Sequence, residues 1–309
     1  MSNLINPTID QALTQTWSSI FVSLSQQKES LLTNLPAIRD ISFQSYKHNV
    51  RRLGPVELEE ITGRNPDVQY HDPAIDNRQM VKKSFGYPVI IDKKDVREAM
   101  ADFRSNVYQE ILHAFNRKKD EFLVQMATGN VQVGPIDNTT SVSFENDGGI
   151  TTDASSGLTY NIVKESIRKF INREVVQGSL QNSNVSFIVS GTEWEDLLEE
   201  DKFINNNYTK QSPVDDGSIN KIFGMNVVTV AGSETGYTKN NNPILKETGT
   251  TRECLMLAPD SILFNADNIQ FEWVENLENK YHSSGLKFSC DMSAMRIEGV
   301  RVQKIKTSF

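Results

Sequence analysis

The chain has 309 residues, 38% of them apolar and 23% charged, with a formal net charge of -8 at pH 7. That length holds about two domains of about 150 residues, and its balance of hydrophobicity and charge allows a packed core and excludes a wholly disordered chain. The acidic excess argues against a protein dedicated to gripping phosphates. Cys254 and Cys290 are too few for a disulfide framework and read as reduced thiols. The longest uncharged run, Gln11 to Gln27, is full of Gln, Ser and Thr and lacks a basic flank, so neither an export signal nor a membrane span is expected.

In chain order, Leu13, Trp17, Ile20, Leu24, Leu31 and Leu35 recur at helical steps, predicting one helix within residues 1–40 that Pro36 closes. Its opposite face is not basic, unlike a membrane-surface helix; it packs either on its own core or on a neighbouring chain. From Ile41 to Ile91 the texture is that of strands, in ISFQSYKHNVRR and RQMVKKSFGYPVII. Between them lie about 25 residues rich in Gly and Pro, a longer link than a compact domain usually holds. A two-stranded ribbon cannot stand alone in water, so this arm needs a surface to lie on, and another subunit is the expected one.

Asp92, with Asp95 three residues on, suits a helix start. Val96, Met100, Phe103, Val107, Ile111, Ala114, Phe122 and Met126 then keep a three/four spacing as far as Gly129. Uninterrupted, that helix has about 35 residues and spans roughly 50 Å. Its charges between Asp92 and Glu121 are seven acidic and seven basic, a neutral, salt-bridged face rather than a polybasic one. Short strands follow at Val131–Val133 and Ser141–Phe144, then a helix over Leu158–Val176 and a strand through Val185, Phe187 and Val189. Thr192 and Glu195 suggest a capping box for the next helix. Strand texture returns at Ile219–Val230, and Ser233–Thr251 is polar, with Asn240, Asn241 and Asn242 in a row. The C-terminal region reads as strands, with a slip across Gly299 that suggests a β-bulge. The class is α+β, without a βαβ rhythm or an internal repeat.

No catalytic constellation is present. His48, His71, His113 and His282 lack metal-ligand spacing. There is no GxSxG elbow, no phosphate loop and no GxGxxG after a strand. The acidic run Glu193–Asp201 supplies six of the eight net negative charges and reads as a solvated helix face. The tail from Arg296 to Lys306 carries four bases against one acid. Lys82 and Lys83 either meet a partner's acid or guard an exposed strand edge.

The order of parts is more informative than any motif. VRRLGPVELEEITGRNPDVQYHD, VIIDKKDVREAMADFRSNVYQEILHAFNRKKDEFLVQMATG, and SFIVSGTEWEDLLEEDKF followed by INKIFGMNVVTV resemble the extended loop, the spine helix and the axial strand–helix–strand run of tailed-bacteriophage major capsid proteins. These have the Hong Kong 97-type shell fold. The resemblance covers about residues 30–305. It implies an N-terminal arm (1–40), an extended β-ribbon loop (41–91), a spine helix (92–129), an axial domain (130–265) and C-terminal strands of the peripheral domain (266–309).

The resemblance further implies a structural protein rather than an enzyme, without cofactor, catalytic residue or metal. Its subunits would form pentamers and hexamers in an icosahedral shell around double-stranded DNA, held by loose non-specific contact. A portal and a separate scaffolding or decoration protein are the implied partners, with no membrane. Assembly in the bacterial host cytoplasm is expected, and the virion capsid is the final location. Arg51, Arg52, Glu57, Glu59, Glu60, Arg64, Lys82 and Lys83 are the expected intersubunit contacts of the ribbon. Tyr237, Asn240, Asn241 and Asn242 would lie at the axial tip, and Leu13, Trp17, Ile20 and Leu24 would dock the arm. About forty residues precede the ribbon, too few for the long scaffolding segment of some relatives. Some relatives also crosslink a lysine to a neighbour's asparagine, but no partner asparagine for Lys82 or Lys83 is legible. Two other readings stay open: an encapsulin-like nanocompartment shell enclosing a cargo enzyme, and a small α+β enzyme.

Overall fold

The structure is a computed structural model that describes residues 26–58, 60, 70–91, 103–135, 138–154, 157–176, 184–200, 221–231, 245, 247–248, 251–277 and 283–308. Three sheets and three α-helices organise these residues.

The first sheet has four strands: β1 (Ile38–Asp40), β13 (Ile262–Leu277), β14 (Ser283–Arg296) and β4 (Lys83–Ile91), in that spatial order. β13 and β14 form a long antiparallel hairpin, with β1 parallel to β13 on one edge and β4 antiparallel to β14 on the other. Its apolar alternation is strict in β14. Leu286, Phe288, Cys290, Met292 and Ala294 face helix α1 (Phe103–Thr128), whose Ile111, Phe115, Phe122, Leu123, Val124 and Ala127 are buried against them. Phe115 and Phe288 meet edge to face at 5.6 Å. Ala114, expected in that stripe, is exposed, and Phe115 takes the buried place. The proposed helix start at Asp92 lies outside the described residues.

The second sheet is the ribbon. β2 (Lys47–Leu53) pairs antiparallel with β3 (Ile75–Val81), which continues through β5 (Val131–Val133) to β6 (Thr140–Val142). The third sheet has seven strands and holds the middle of the chain. β7 (Ile150–Ala154), β15 (Val302–Ser308), β12 (Thr251–Leu257), β8 (Ser186–Val189), β10 (Met225–Thr229) and β9 (Lys221–Ile222) lie in that order, and β11 (Glu247–Thr248) pairs with β12. Both of its faces are covered. Ile188, Leu255 and Leu257 join the core under α1, while Phe187, Val189, Cys254 and Met256 pack under α2 (Tyr160–Asn172) and α3 (Gly191–Glu199). A strand covered on both faces reads as a continuous apolar run, which is the texture of SFIV.

Several expectations are corrected. Residues 26–37 form turns rather than the end of a helix, with Leu35 N–H donating to the Leu32 carbonyl at 3.0 Å. Ile38–Asp40 is then drawn into a sheet by β13. RQMVKKSFGYPVII is two strands broken at Lys82, and only the first belongs to the ribbon. β15, expected beside the other C-terminal strands, crosses to the sheet of the middle segment, whereas β5 and β6 leave that segment for the ribbon. The slip at Gly299 is no bulge: a 3-10 turn, Gly299–Arg301, carries the chain from one sheet to another. The irregularities in the hairpin lie instead between Asp267 and Gln270, where Asn268 has φ 50°, and between Val274 and Leu277.

Gly299 is where loop and crossover touch. A Cβ there would overlap the Asp147 carbonyl and approach the Gly149 nitrogen to 2.8 Å, and both are backbone atoms with little room to give. Gly299→Ala should therefore destabilise the soluble subunit by about 1–3 kcal/mol, read as a lower urea midpoint; an unchanged midpoint would contradict this packing.

Candidate assembly interface

Met80 and Val50 of the ribbon pack on the body, but other apolar groups of the ribbon are uncovered. β2 and β3 are in register from Lys47 opposite Val81 to Leu53 opposite Ile75, and Gly54 N–H adds one more rung to the Ala74 carbonyl at 2.8 Å. Beyond that rung Val56, Leu58 and Tyr70 are exposed, Leu58 at 97% and Tyr70 at 93%, and Tyr46, Leu53 and Ile75 are exposed nearer the base. Single exposed apolar residues are ordinary, but several of them on one ribbon have the composition of an interaction surface. Arg51, Glu57 and Glu60 are exposed beside them. Glu59 and Arg64 lie outside the described residues.

The base of the ribbon is fastened by charges. Arg52 donates Nε to Asp76 Oδ1 at 2.7 Å and Nη1 to the Ile297 carbonyl at 3.0 Å, and its Nη2 closes a second bond to Asp76. Burial alone would lower the Arg52 pKa, but the Asp76 carboxylate more than offsets it and the net shift is upward. Asp76 is held below the usual carboxylate range by the same bond. Lys82 is buried, pairs with Asp267 and lies 4.8 Å from the Phe43 ring centroid. Arg52 and Lys82, expected to reach a neighbour, thus make their ion pairs within the chain. Lys83 stands at the open edge of β4, with its Nζ 5.6 Å from the Phe122 ring centroid.

Deeper in, Asp147 sits between two buried arginines. Arg78, 1% exposed, grips both carboxylate oxygens and donates to the Arg296 carbonyl at 3.1 Å. Arg296, 0% exposed, gives its Nε to Asp147 at 2.9 Å and its Nη1 to the carbonyls of Ala127 at 2.7 Å and Gly129 at 3.0 Å. Burial pulls the Arg296 pKa down, with Asp147 opposing. These carbonyls lie at the C-terminal end of α1, where a cation is favoured. Phe144 is stacked between charges, 5.1 Å from the Arg296 guanidinium and 5.2 Å from Lys304 Nζ. Neither Arg78 nor Arg296 was singled out from sequence. The available signal was Arg296 between Met295 and Ile297, at the end of an apolar-alternating strand, where burial obliges it to find an acid.

α1 also holds the segment that precedes β1. Asp120, fully buried, accepts from the backbone N–H of Leu31 at 2.9 Å and of Leu32 at 3.3 Å, and from the side chains of Gln27 and Ser30. Asn116 donates to the Lys28 carbonyl at 2.8 Å. Leu13, Trp17, Ile20 and Leu24 of the arm, and Tyr237, Asn240, Asn241 and Asn242 of the axial loop, lie outside the described residues.

The acidic run is only partly a solvated face. Ser190, not Thr192, is the N-cap of α3, and its hydroxyl binds the buried Glu193 carboxylate, which also accepts from Thr307 at 2.9 Å. Asp196 accepts from the Leu158 N–H at 2.9 Å, and Glu200 from the Tyr160 N–H at 3.2 Å. Glu195 and Glu199 alone are exposed among the described residues of the run. Among the described residues no cluster of His, Cys, Asp or Glu could hold a metal, and no helix is long and apolar enough to cross a membrane. His48 is stacked on Phe43 at 4.8 Å. Both thiols are buried; burial pushes Cys290 up to about 11 and Cys254 well above the usual range.

An anchored base, a ribbon with uncovered apolar side chains and a long helix backing a sheet suit a building block of a larger assembly. The chain belongs to the phage capsid protein family, whose model matches residues 9–308. No curated protein matches it. Among solved structures it is similar to the capsid of Helicobacter pylori bacteriophage KHP30, at 12% identity and a TM-score of 0.70, covering 100% of this chain and 99% of that one. It is similar to the cyanophage Pam1 capsid at 11% identity and a TM-score of 0.69, with coverage of 100% and 99%. The capsid of cyanophage P-SCSP1u gives 12% identity, a TM-score of 0.65, and coverage of 100% and 97%. These likenesses are of fold, and the fold is the Hong Kong 97-type shell fold. The protein is a structural subunit of a phage capsid, not an enzyme.

Asp147→Asn keeps the shape of the central carboxylate and removes its charge, leaving two buried guanidinium groups without a counter-ion. We expect a loss of about 3–5 kcal/mol of subunit stability, measured by urea denaturation. A loss under about 1 kcal/mol would show that the network is not buried as described.

Proposed function

We propose that this chain is the major capsid protein of a tailed phage, closing as pentamers and hexamers into an icosahedral shell around packaged double-stranded DNA. The observation that carries this reading is the ribbon: Leu53, Val56, Leu58, Tyr70 and Ile75 are exposed on an arm whose base is locked to its own subunit. Laid across an adjacent subunit, those side chains gain about 25 cal/mol for each Å² of apolar surface removed from water. Arg51, Glu57, Glu59, Glu60, Arg64 and Lys83 then set the register of the contact. Each exposed pair contributes only about 0–1 kcal/mol, but every copy in the shell repeats it.

In this reading α1 with the β13–β14 sheet is the peripheral domain, and the seven-stranded sheet with α2 and α3 is the axial domain. Tyr237, Asn240, Asn241 and Asn242 meet near the capsomer centre, and Leu13, Trp17, Ile20 and Leu24 dock the arm on a neighbouring copy. DNA is held loosely. Two of the four bases of the C-terminal tail support that: Arg296 and Lys304 are buried within the chain and are not offered to phosphates. Assembly in the host cytoplasm, around a portal and with a separate scaffolding or decoration protein, completes the proposal.

Deleting Leu53 to Asn77 tests it. The shortened chain should stay soluble, with circular dichroism like that of the intact chain, yet sediment as free subunits or small oligomers where the intact chain gives closed particles by electron microscopy. Normal shells from the deletion would remove the ribbon from the interface. Particles of the intact chain that hold a cargo enzyme instead of nuclease-resistant DNA would favour a nanocompartment.

A further inference from the structure

Two helices on one face of the seven-stranded sheet carry opposite charges outward. On α2, Tyr160, Lys164, Arg168 and Ile171 follow one another at steps of four, four and three residues, so they lie along one stripe. Lys164, Arg168 and Ile171 are exposed. On α3, Glu195 and Glu199 are exposed one turn apart, flanked by half-buried Trp194 and Leu198. Among the described residues none of these four charged groups forms a salt bridge. The other acids of α3 behave differently, since Glu193, Asp196 and Glu200 accept hydrogen bonds inside the chain. The exposed pair is what remains once the fold has used the rest.

The hairpin beside the basic stripe holds a second unusual feature. β9 and β10 are joined by two residues, Phe223 and Gly224, since Ile222 pairs with Met225. Both have positive φ, 51° and 85°, the geometry of a type I′ turn that favours Asn-Gly. A phenylalanine in the left-handed region is strained, and such strain collects at functional positions. Its ring rests 5.3 Å from that of Tyr160 while remaining 36% exposed. The stripe is thereby extended into a surface with an aromatic residue at one end, Ile171 at the other and two cations between, a composition typical of interfaces.

We infer that this α2 surface, from Phe223 to Ile171, docks on the α3 surface of a second copy of the same chain, with Lys164 and Arg168 facing Glu195 and Glu199. The occupant follows from charge: the complementary acidic helix is already present on every copy. Because the two patches differ, the contact is head to tail, which closes into a ring when the rotation per copy allows. The charges set register and exclude wrong pairings more than they add affinity. The inference rests on the shell-forming reading above and adds to it which axial surfaces meet inside one capsomer.

The test is a charge swap in the full chain. One variant carries Lys164→Glu and Arg168→Glu, a second carries Glu195→Lys and Glu199→Lys, and a third carries all four. All four positions are exposed, so thermal unfolding of each variant should match the parent within a few degrees. We expect at least a tenfold drop in the fraction of chain sedimenting as particles for the first two, with recovery in the third. Phe223→Asn should lower assembly while leaving the subunit as stable as before or more so. Assembly at the parent level in either half-swap, or a third variant no better than the halves, overturns the inference. A parent chain that forms no particles even when co-expressed with its scaffolding protein overturns the shell reading itself, which the swap results cannot imitate.

Discussion

Everything that makes this subunit useful depends on one buried carboxylate. Asp147 brings Arg78 and Arg296 together from 69 and 149 residues away in the chain, and Arg296 reaches on to the carbonyls at the end of α1. Burying three charges costs several kcal/mol per ion, which is offset only when the geometry is good and the remaining donors are satisfied. Here the carboxylate takes Arg78 with both oxygens and three backbone carbonyls accept guanidinium hydrogens, while Arg78 Nε and Arg296 Nη2 are buried without a hydrogen-bond partner among the described residues. The network joins four parts of the fold: the ribbon strand β3, the exit of α1, the loop before β7 and the end of β14. By tying these four parts through short charge-assisted bonds, it sets their relative placement at the ribbon base.

A fixed base gives the exposed ribbon its meaning. The Arg52–Asp76 pair, tied to the Ile297 carbonyl, and the Lys82–Asp267 pair hold the first rungs against the body. The most exposed apolar side chains, Leu58 and Tyr70, lie beyond those ties. In the proposed contact the ribbon would meet a partner with little orientational entropy left to lose, which is where preorganisation adds affinity. About two turns before the end of α1, Asp120 does the same for residues 27–32, capturing two backbone N–H groups. Rigid attachment and adhesive ends, repeated in every copy, turn weak contacts into a closed shell.

The order of parts was legible because it rests on local patterns. The periodicity of α1, the alternation in β13 and β14, and the Gly- and Pro-rich stretch between two strand-like runs all appear within short windows. Long-range pairing was not legible. Nothing near Leu31 or Leu35 tells that β13 will draw the next residues into a sheet, so helical spacing was read where turns stand. Lys82 and Arg52 look like surface charges on a strand, and their acids lie 185 and 24 residues away. The acidic run misled for a related reason. Glu193, Asp196 and Glu200 find buried hydroxyls and backbone N–H groups on other elements, and a helical wheel shows only which side they occupy. Gly299 carried a signal that was read as a bulge, when the constraint was a neighbouring backbone with no space for a Cβ.

The central claim is that a charge-locked base presents the ribbon tip to a neighbouring subunit. A cryo-electron microscopy reconstruction of assembled particles, resolved well enough to trace side chains, tests it most directly. Leu58 and Tyr70 should be seen buried against an adjacent copy, with Arg78, Asp147 and Arg296 joined at the base as in the single subunit. A ribbon folded back on its own chain, or one projecting into solvent with both side chains uncovered, would contradict it.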